Sequence, residues 1–194
     1  MKWSRILICS AVLAAFAIPF RGEAQDLSVR SGIYDFTAST TREFYLLAPT
    51  FLVGYDIWTL SRLSFHLSTG IAYNSTQYNA DRHHLFMIPL FFLANYNLPN
   101  PNARLLPVIG GGFCLMQKLD KNTTLSRTHY GITYGFQANG GLRYRLKTGL
   151  QITLDIAYNL LIPFTTEETN INGFLYTFGL RIPISKKPNQ LVDR

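Results

Sequence analysis

The sequence predicts an all-β chain folded as an eight-stranded antiparallel up-and-down transmembrane β-barrel, and three observations lead there. From Gly149 to Leu160 the large apolar residues Leu150, Ile152, Leu154, Ile156, Tyr158 and Leu160 alternate without a break with Gln151, Thr153, Asp155, Ala157 and Asn159, the period of a strand with two unlike faces. The second observation is the chemistry of the minority face. A soluble barrel carries Lys and Glu outward, but here one strand holds Gly131, Thr133, Gly135, Gln137, Asn139 and Gly141 on that face, and such residues suit a crowded lumen. The third is where the lysines fall. Lys118, Lys121, Lys147, Lys186 and Lys187 are read at strand ends, in loops or in the tail, leaving strand middles free to face hydrocarbon.

The strands are placed near 27–36, 44–56, 62–73, 84–97, 104–117, 129–145, 149–161 and 173–184. The first carries Arg30 on its minority face; the second and third are bounded by the polar run Thr37–Glu43 and the short turn Ile57–Ser61. The fourth breaks the alternation, since Leu85 to Ala94 is apolar on both faces, and periodicity leaves its register open. The fifth holds Gly110, Gly111 and Gly112, which permit close strand contact or a bulge and lack the Lys of a phosphate loop. Pro89 and Pro107 each remove a ladder donor, so a local distortion or lateral opening is expected where strands four and five pair. The sixth, seventh and eighth, Tyr130–Tyr144, Gly149–Leu160 and Phe174–Ile184, alternate most regularly. Connections 37–43, 74–83, 118–128 and 162–172 are long and polar, while 57–61, 98–103 and 146–148 are short. Even strand number, long loops at one end and short turns at the other are what an outer-membrane barrel requires.

The start of the chain indicates export. Lys2 and Arg5 precede the uncharged run Ile6–Phe20, and Gly22-Glu23-Ala24 offers a small-x-small site, so residues 1–24 read as a secretory signal peptide cleaved near Ala24. Its removal takes Cys9 and leaves 15 Lys plus Arg against 10 Asp plus Glu, a modest net charge of +5. Cys114 is then the single cysteine, which excludes an intramolecular disulfide. The division is therefore 1–24 signal peptide, 25–184 barrel and 185–194 a short polar periplasmic tail. Tyr45, Tyr55, Trp58, Tyr73, Tyr96, Tyr130, Tyr144 and Tyr158 lie toward strand ends, the distribution of interfacial aromatic girdles.

With its signal peptide, eight alternating strands and a last strand of form G-F-L-Y-T-F-G-L-R-I-P-I, the chain resembles the small eight-stranded outer-membrane barrels of Gram-negative bacteria, the group of the OmpA transmembrane domain and OmpX. It is similar in style to the outer-membrane β-barrel domain of Bacteroidota, to which the PorT family belongs. The resemblance implies an outer-membrane location, contact with lipid and lipopolysaccharide, insertion by the barrel-assembly machinery, other envelope proteins as partners, and a secretion-accessory role. It supplies no catalytic motif. Family members commonly end on an aromatic residue of the last strand, whereas Ser185–Arg194 extends this chain past Ile184.

Several residues are candidates for function. Arg30, Asp155 and Arg181 fall on inward faces of strands one, seven and eight, which closure makes neighbours, and Arg143 lies one strand further. They form an expected lumenal polar cluster, because charges enclosed by a narrow barrel need partners; a plug is the simpler account and a gate or transport site the sharper one. Leu85, Met87, Phe91 and Leu93 form an expected apolar lumen patch, either plug packing or a groove for a lipid-like ligand. Arg42, Arg82, Lys118, Lys121 and Arg127 are assigned to outer connections, where they can meet lipopolysaccharide phosphates. His66-Leu67-Ser68-Thr69 is similar to the His-x-Ser-Asn signature of lipid A deacylases of the PagL type, but Thr69 replaces the Asn and the nearest carboxylate in view, Asp81, sits in a loop. Asp81, His83 and His84 are potential metal ligands that a polar loop more often leaves solvated. No catalytic, metal or cofactor assignment follows, and an exported chain with no basic-aromatic module is not a nucleic-acid binder. The expected function is a structural or interaction barrel with a largely filled lumen, or a secretion accessory. The alternatives are a narrow permease or binding barrel for small apolar solutes and a lipid A-modifying enzyme.

Overall fold

In the computed structural model of the chain, the residues described are 26–78, 81–100, 104–125, 127–163 and 170–184. The expected signal peptide and the tail at 185–194 lie outside them. The strands are β1 (Asp26–Phe36), β2 (Leu47–Leu60), β3 (Leu63–Tyr78), β4 (Asp81–Asn97), β5 (Leu105–Asn122), β6 (Arg127–Arg145), β7 (Gln151–Pro163) and β8 (Gly173–Pro183), with one short helix, α1 (Ser39–Phe44), between β1 and β2. Each strand pairs antiparallel with the next and β8 returns to β1, from Asp26↔Pro183 to Phe36↔Gly173, so the sheet closes into a barrel. Closure removes every unpaired edge within the wall, the condition for a sheet surrounded by lipid.

Two expected loops are largely strand. The runs 74–83 and 118–128 are polar, but Asn74–Tyr78 still pairs with Asp81–Leu85, and Lys118–Asn122 with Arg127–Gly131. Hydropathy marks only the part of a strand that faces apolar surroundings, whereas the backbone ladder continues beyond it as projecting hairpins. The turns at the opposite end are short. Ser61 takes a positive φ of 52° in the β2–β3 turn, and Gly149, at 88°, does so before β7.

The period of two sorts side chains to the two sides of the wall. Outward stand Phe51, Ile71, Phe92, Phe113, Phe136, Leu154, Ile156 and Phe178, each between 45% and 63% exposed. Such an apolar exterior is the inverse of a water-soluble barrel and matches a lipid-facing band. Trp58, Tyr96 and Tyr144 lie on this face toward the turn end, and Tyr73 and Tyr130 toward the hairpin end. Tyr45 does not join them, because it is 3% exposed between α1 and β2.

Two irregularities position side chains. In β2 the register shifts between Asp56↔His66 and Trp58↔Phe65, leaving Ile57 as an extra residue. This bulge lets Asp56 point inward while Trp58 points out and stacks on Phe65 at 5.7 Å. The proline effect expected between strands four and five falls instead between β3 and β4. β4 pairs with β5 continuously through Pro89↔Met116, but the β3–β4 register passes from Thr69↔Leu90 to Ala72↔Met87. In antiparallel pairing Pro89 directs its missing donor toward one neighbour alone, here β3. The Thr69 hydroxyl donates to the Pro89 carbonyl at 2.8 Å and ties the interruption together.

Candidate functional site

The lumen divides along its length into a charged half near the short turns and an apolar half near the projecting hairpins. In the charged half, Arg30 of β1 is the hub. Its Nη2 donates to Ser68 Oγ at 3.2 Å and lies 3.1 Å from His66 Nε2, and its Nη1 is 3.6 Å from Asp155 Oδ2. His66 Nδ1 meets Asp56 Oδ1 at 2.8 Å. Arg181 donates through Nε to Asp26 Oδ2 at 2.9 Å and pairs through Nη2 with Asp56. Arg143 donates to the Asn97 amide oxygen at 3.1 Å. Because Nε2 of His66 faces a guanidinium donor, it serves as acceptor, and Nδ1–H donates to Asp56.

Missing side chains make room for these contacts. Gly54 stands beneath the His66 ring, and a Cβ there would lie 2.5 Å from Nε2. Gly110, level with Asn95 on β4 and Asn139 on β6, leaves space for their amides to meet across β5 at 3.0 Å.

The four charged residues named from the sequence thus all face the lumen, but only Arg30 and Asp155 pair with each other. Asp26, Asp56, His66, Ser68 and Asn97 complete the network, and none of them is among the residues that the sequence assigns to it. Asp26 sits on the first residue of β1, and the β2 pattern breaks at the bulge just after Asp56. Extending the inward alternation to the strand ends is the signal that would have found both.

Leu85, Met87, Phe91 and Leu93 all point inward, 0–3% exposed, which fixes the register that periodicity left open. They join Leu52, Ala72, Cys114 and Met116 in one packed core with Tyr34, Phe36 and Leu175. The hairpin end is covered from above. The Tyr34 hydroxyl donates to the Ile171 carbonyl at 2.7 Å, the Thr41 hydroxyl of α1 to the Asn170 carbonyl, and the Tyr45 hydroxyl to Asp120 at 3.0 Å. Burial and the Asp120 carboxylate push the Tyr45 phenol above its ordinary range, so it stays a neutral donor.

The remaining candidates scatter. Lys118 is not in a loop: β5 keeps its alternation, even-numbered residues point inward, and Lys118 is 5% exposed. Buried on the lumenal side, it is not a surface contact for lipopolysaccharide. Arg82 and Lys121 lie on neighbouring strands of the outward hairpin face, where His84 pairs with Lys121 and stacks on Tyr73. Arg42 is exposed on α1, 3.9 Å from Asp35, and the Arg127 side chain lies outside the described residues. Asp81 and His83 share Asn122, whereas His84 bonds the Tyr73 hydroxyl, so the three do not converge. The carboxylate beside His66 is Asp56 and not Asp81. Arg30 Nη2 lies against both His66 Nε2 and Ser68 Oγ, the two atoms that a base and nucleophile pair would use.

No protein-family model and no curated protein sequence matches the chain. Solved structures do. The chain is similar to Neisserial surface protein A, at TM-score 0.61 and 13% identity over 82% of this chain and 96% of that one. It is also similar to the outer membrane protein OprG of Pseudomonas aeruginosa, at 0.61 and 11% over 85% and 98%. The Yersinia pestis attachment invasion locus protein Ail, in complex with the heparin analogue sucrose octasulfate, gives 0.52 and 6% over 83% and 96%. The chain has the fold of the small eight-stranded outer-membrane barrels.

Proposed function

We propose that the chain is an integral outer-membrane barrel with a closed lumen, working as an anchor that presents its hairpin end outside the cell and its turn end to the periplasm. The observation that carries this reading is the inversion of the wall. Phenylalanine and leucine face out along the strands, while the hairpin half of the lumen is packed with Leu85, Met87, Phe91 and Leu93. Eight strands enclose a space that side chains can fill, and at its hairpin end Thr41 of α1 and Ile171 are buried. Packing of that kind supports a plug over a groove for apolar solutes, and the occupation of His66 and Ser68 by Arg30 supports a non-catalytic barrel over a lipid A-modifying enzyme. Arg82 and Lys121, beside the Tyr73–His84 stack, are the side chains suited to lipopolysaccharide phosphates. A secretion-accessory role, with envelope proteins as partners and the barrel-assembly machinery for insertion, is the finer reading that the PorT resemblance adds. In a Cys114→Ala background, a membrane-impermeant maleimide is expected to label Thr124→Cys on intact cells and Thr148→Cys only after the outer membrane is permeabilised. Equal labelling of both on intact cells, or recovery of the protein in the soluble fraction, contradicts the proposal.

A further inference from the structure

The turn end of the lumen opens into a vestibule of about 600 Å³, within the usual range of ligand sites. Its charged walls are Arg143, Arg145 and Arg181 against Asp26 and Asp56. Arg181 takes up both carboxylates. Arg143 makes no ion pair of its own: it is 6% exposed, its hydrogen-bond acceptor is the neutral Asn97 amide, and among the described residues Asp155 and Asp26 attract it only from beyond ion-pair distance. A guanidinium has five N–H donors in a planar fork, and a buried cation with no counter-charge in contact is costly. A second, independent feature stands on another wall. Ser64 of β3, 1% exposed, lines the same vestibule, and its hydroxyl has no partner among the described residues.

We propose that this vestibule binds a small organic monocarboxylate, with Arg143 as the anchoring cation. Three arginines against two aspartates leave one unit of positive charge, which a monoanion balances and a dianion exceeds. The carboxylate accepts from the free edge of the Arg143 fork, in the planar geometry that guanidinium recognises, and from the Ser64 hydroxyl. Arg145 stands on the same strand two residues nearer the mouth, where it attracts the anion. Leu106, Pro183 and Ile184 give the walls an apolar part that suits a hydrocarbon body. This goes beyond the anchoring role and does not depend on it.

The test uses the full barrel in nanodiscs, with butyrate as probe and butyramide as its uncharged counterpart, read by side-chain NMR shifts of ¹⁵N-labelled arginine. Butyrate is expected to shift an arginine resonance saturably, and butyramide to leave it unmoved. Arg143→Gln is expected to weaken butyrate binding about tenfold or more, Ser64→Ala about threefold, and Arg82→Gln not at all. Should Arg143→Gln fail to fold, Ser64→Ala and Arg145→Gln decide the matter, each expected to weaken binding. The proposal is overturned if butyrate gives no saturable shift, if butyramide acts like butyrate, or if the folded vestibule variants bind as wild type does.

Discussion

Asp56→Ala is expected to destabilise the folded barrel by about 3–5 kcal/mol, the loss typical when one partner of a buried ion pair is removed. Asp56 is 1% exposed and serves two groups at once, the Arg181 guanidinium and the His66 ring nitrogen. Without it, His66 loses the acceptor that holds its Nδ1–H, and the Nε2 that faces Arg30 is no longer fixed. Arg181 keeps Asp26, so part of its charge stays compensated. Asp56→Asn should cost less than Asp56→Ala, since an amide oxygen still accepts one of the two bonds. Urea titration of the barrel refolded into short-chain lipid vesicles measures both. Equal stability of Asp56→Ala and wild type would mean that the network does not hold this half of the lumen together.

The second large effect concerns the outer face. Phe136→Arg is expected to cost about 2–4 kcal/mol in the same titration, the range for a basic side chain at the bilayer midplane. Phe136 is 63% exposed, and on the outward row of β6 it lies near the middle of the span between Tyr130 and Tyr144, the aromatic residues that bracket the apolar stretch. In water an exposed Phe replaced by Arg would be close to neutral. The sign and size of the change therefore report the solvent around the wall. A shift below 0.5 kcal/mol would argue that this face does not meet hydrocarbon.

Much of the barrel was legible because lipid outside and a crowded lumen inside impose opposite chemistry on alternate residues. Gln151, Thr153, Asp155, Ala157 and Asn159 point in for the same reason that Ile152, Leu154 and Ile156 point out. What could not be read lay where that contrast fades. Asn74–Tyr78 and Lys118–Asn122 stay in the sheet past the apolar span, where a polar strand and a polar loop have the same composition. Lys118 reads as a loop residue for that reason, since only the continued ladder shows that it turns inward. Helix α1 is too short to leave a periodic trace. The apolar patch of β4 could be listed residue by residue, but its facing was settled only by pairing with β5. In the charged cluster the arginines are visible as unusual lumenal residues, whereas Asp26 lies one residue before the predicted start of strand one and Asp56 on the last residue of predicted strand two, so both are found only when the inward alternation is carried to the strand ends.

The closed lumen is the claim on which the anchoring role stands, and conductance measures it most directly. Wild-type barrel, verified as folded, is expected to give no discrete current steps in planar lipid bilayers. Shaving the plug with Met87→Gly and Phe91→Gly, both within 1% of full burial, should open small steps. Reproducible steps from the wild-type barrel would contradict the account and favour a conducting pore.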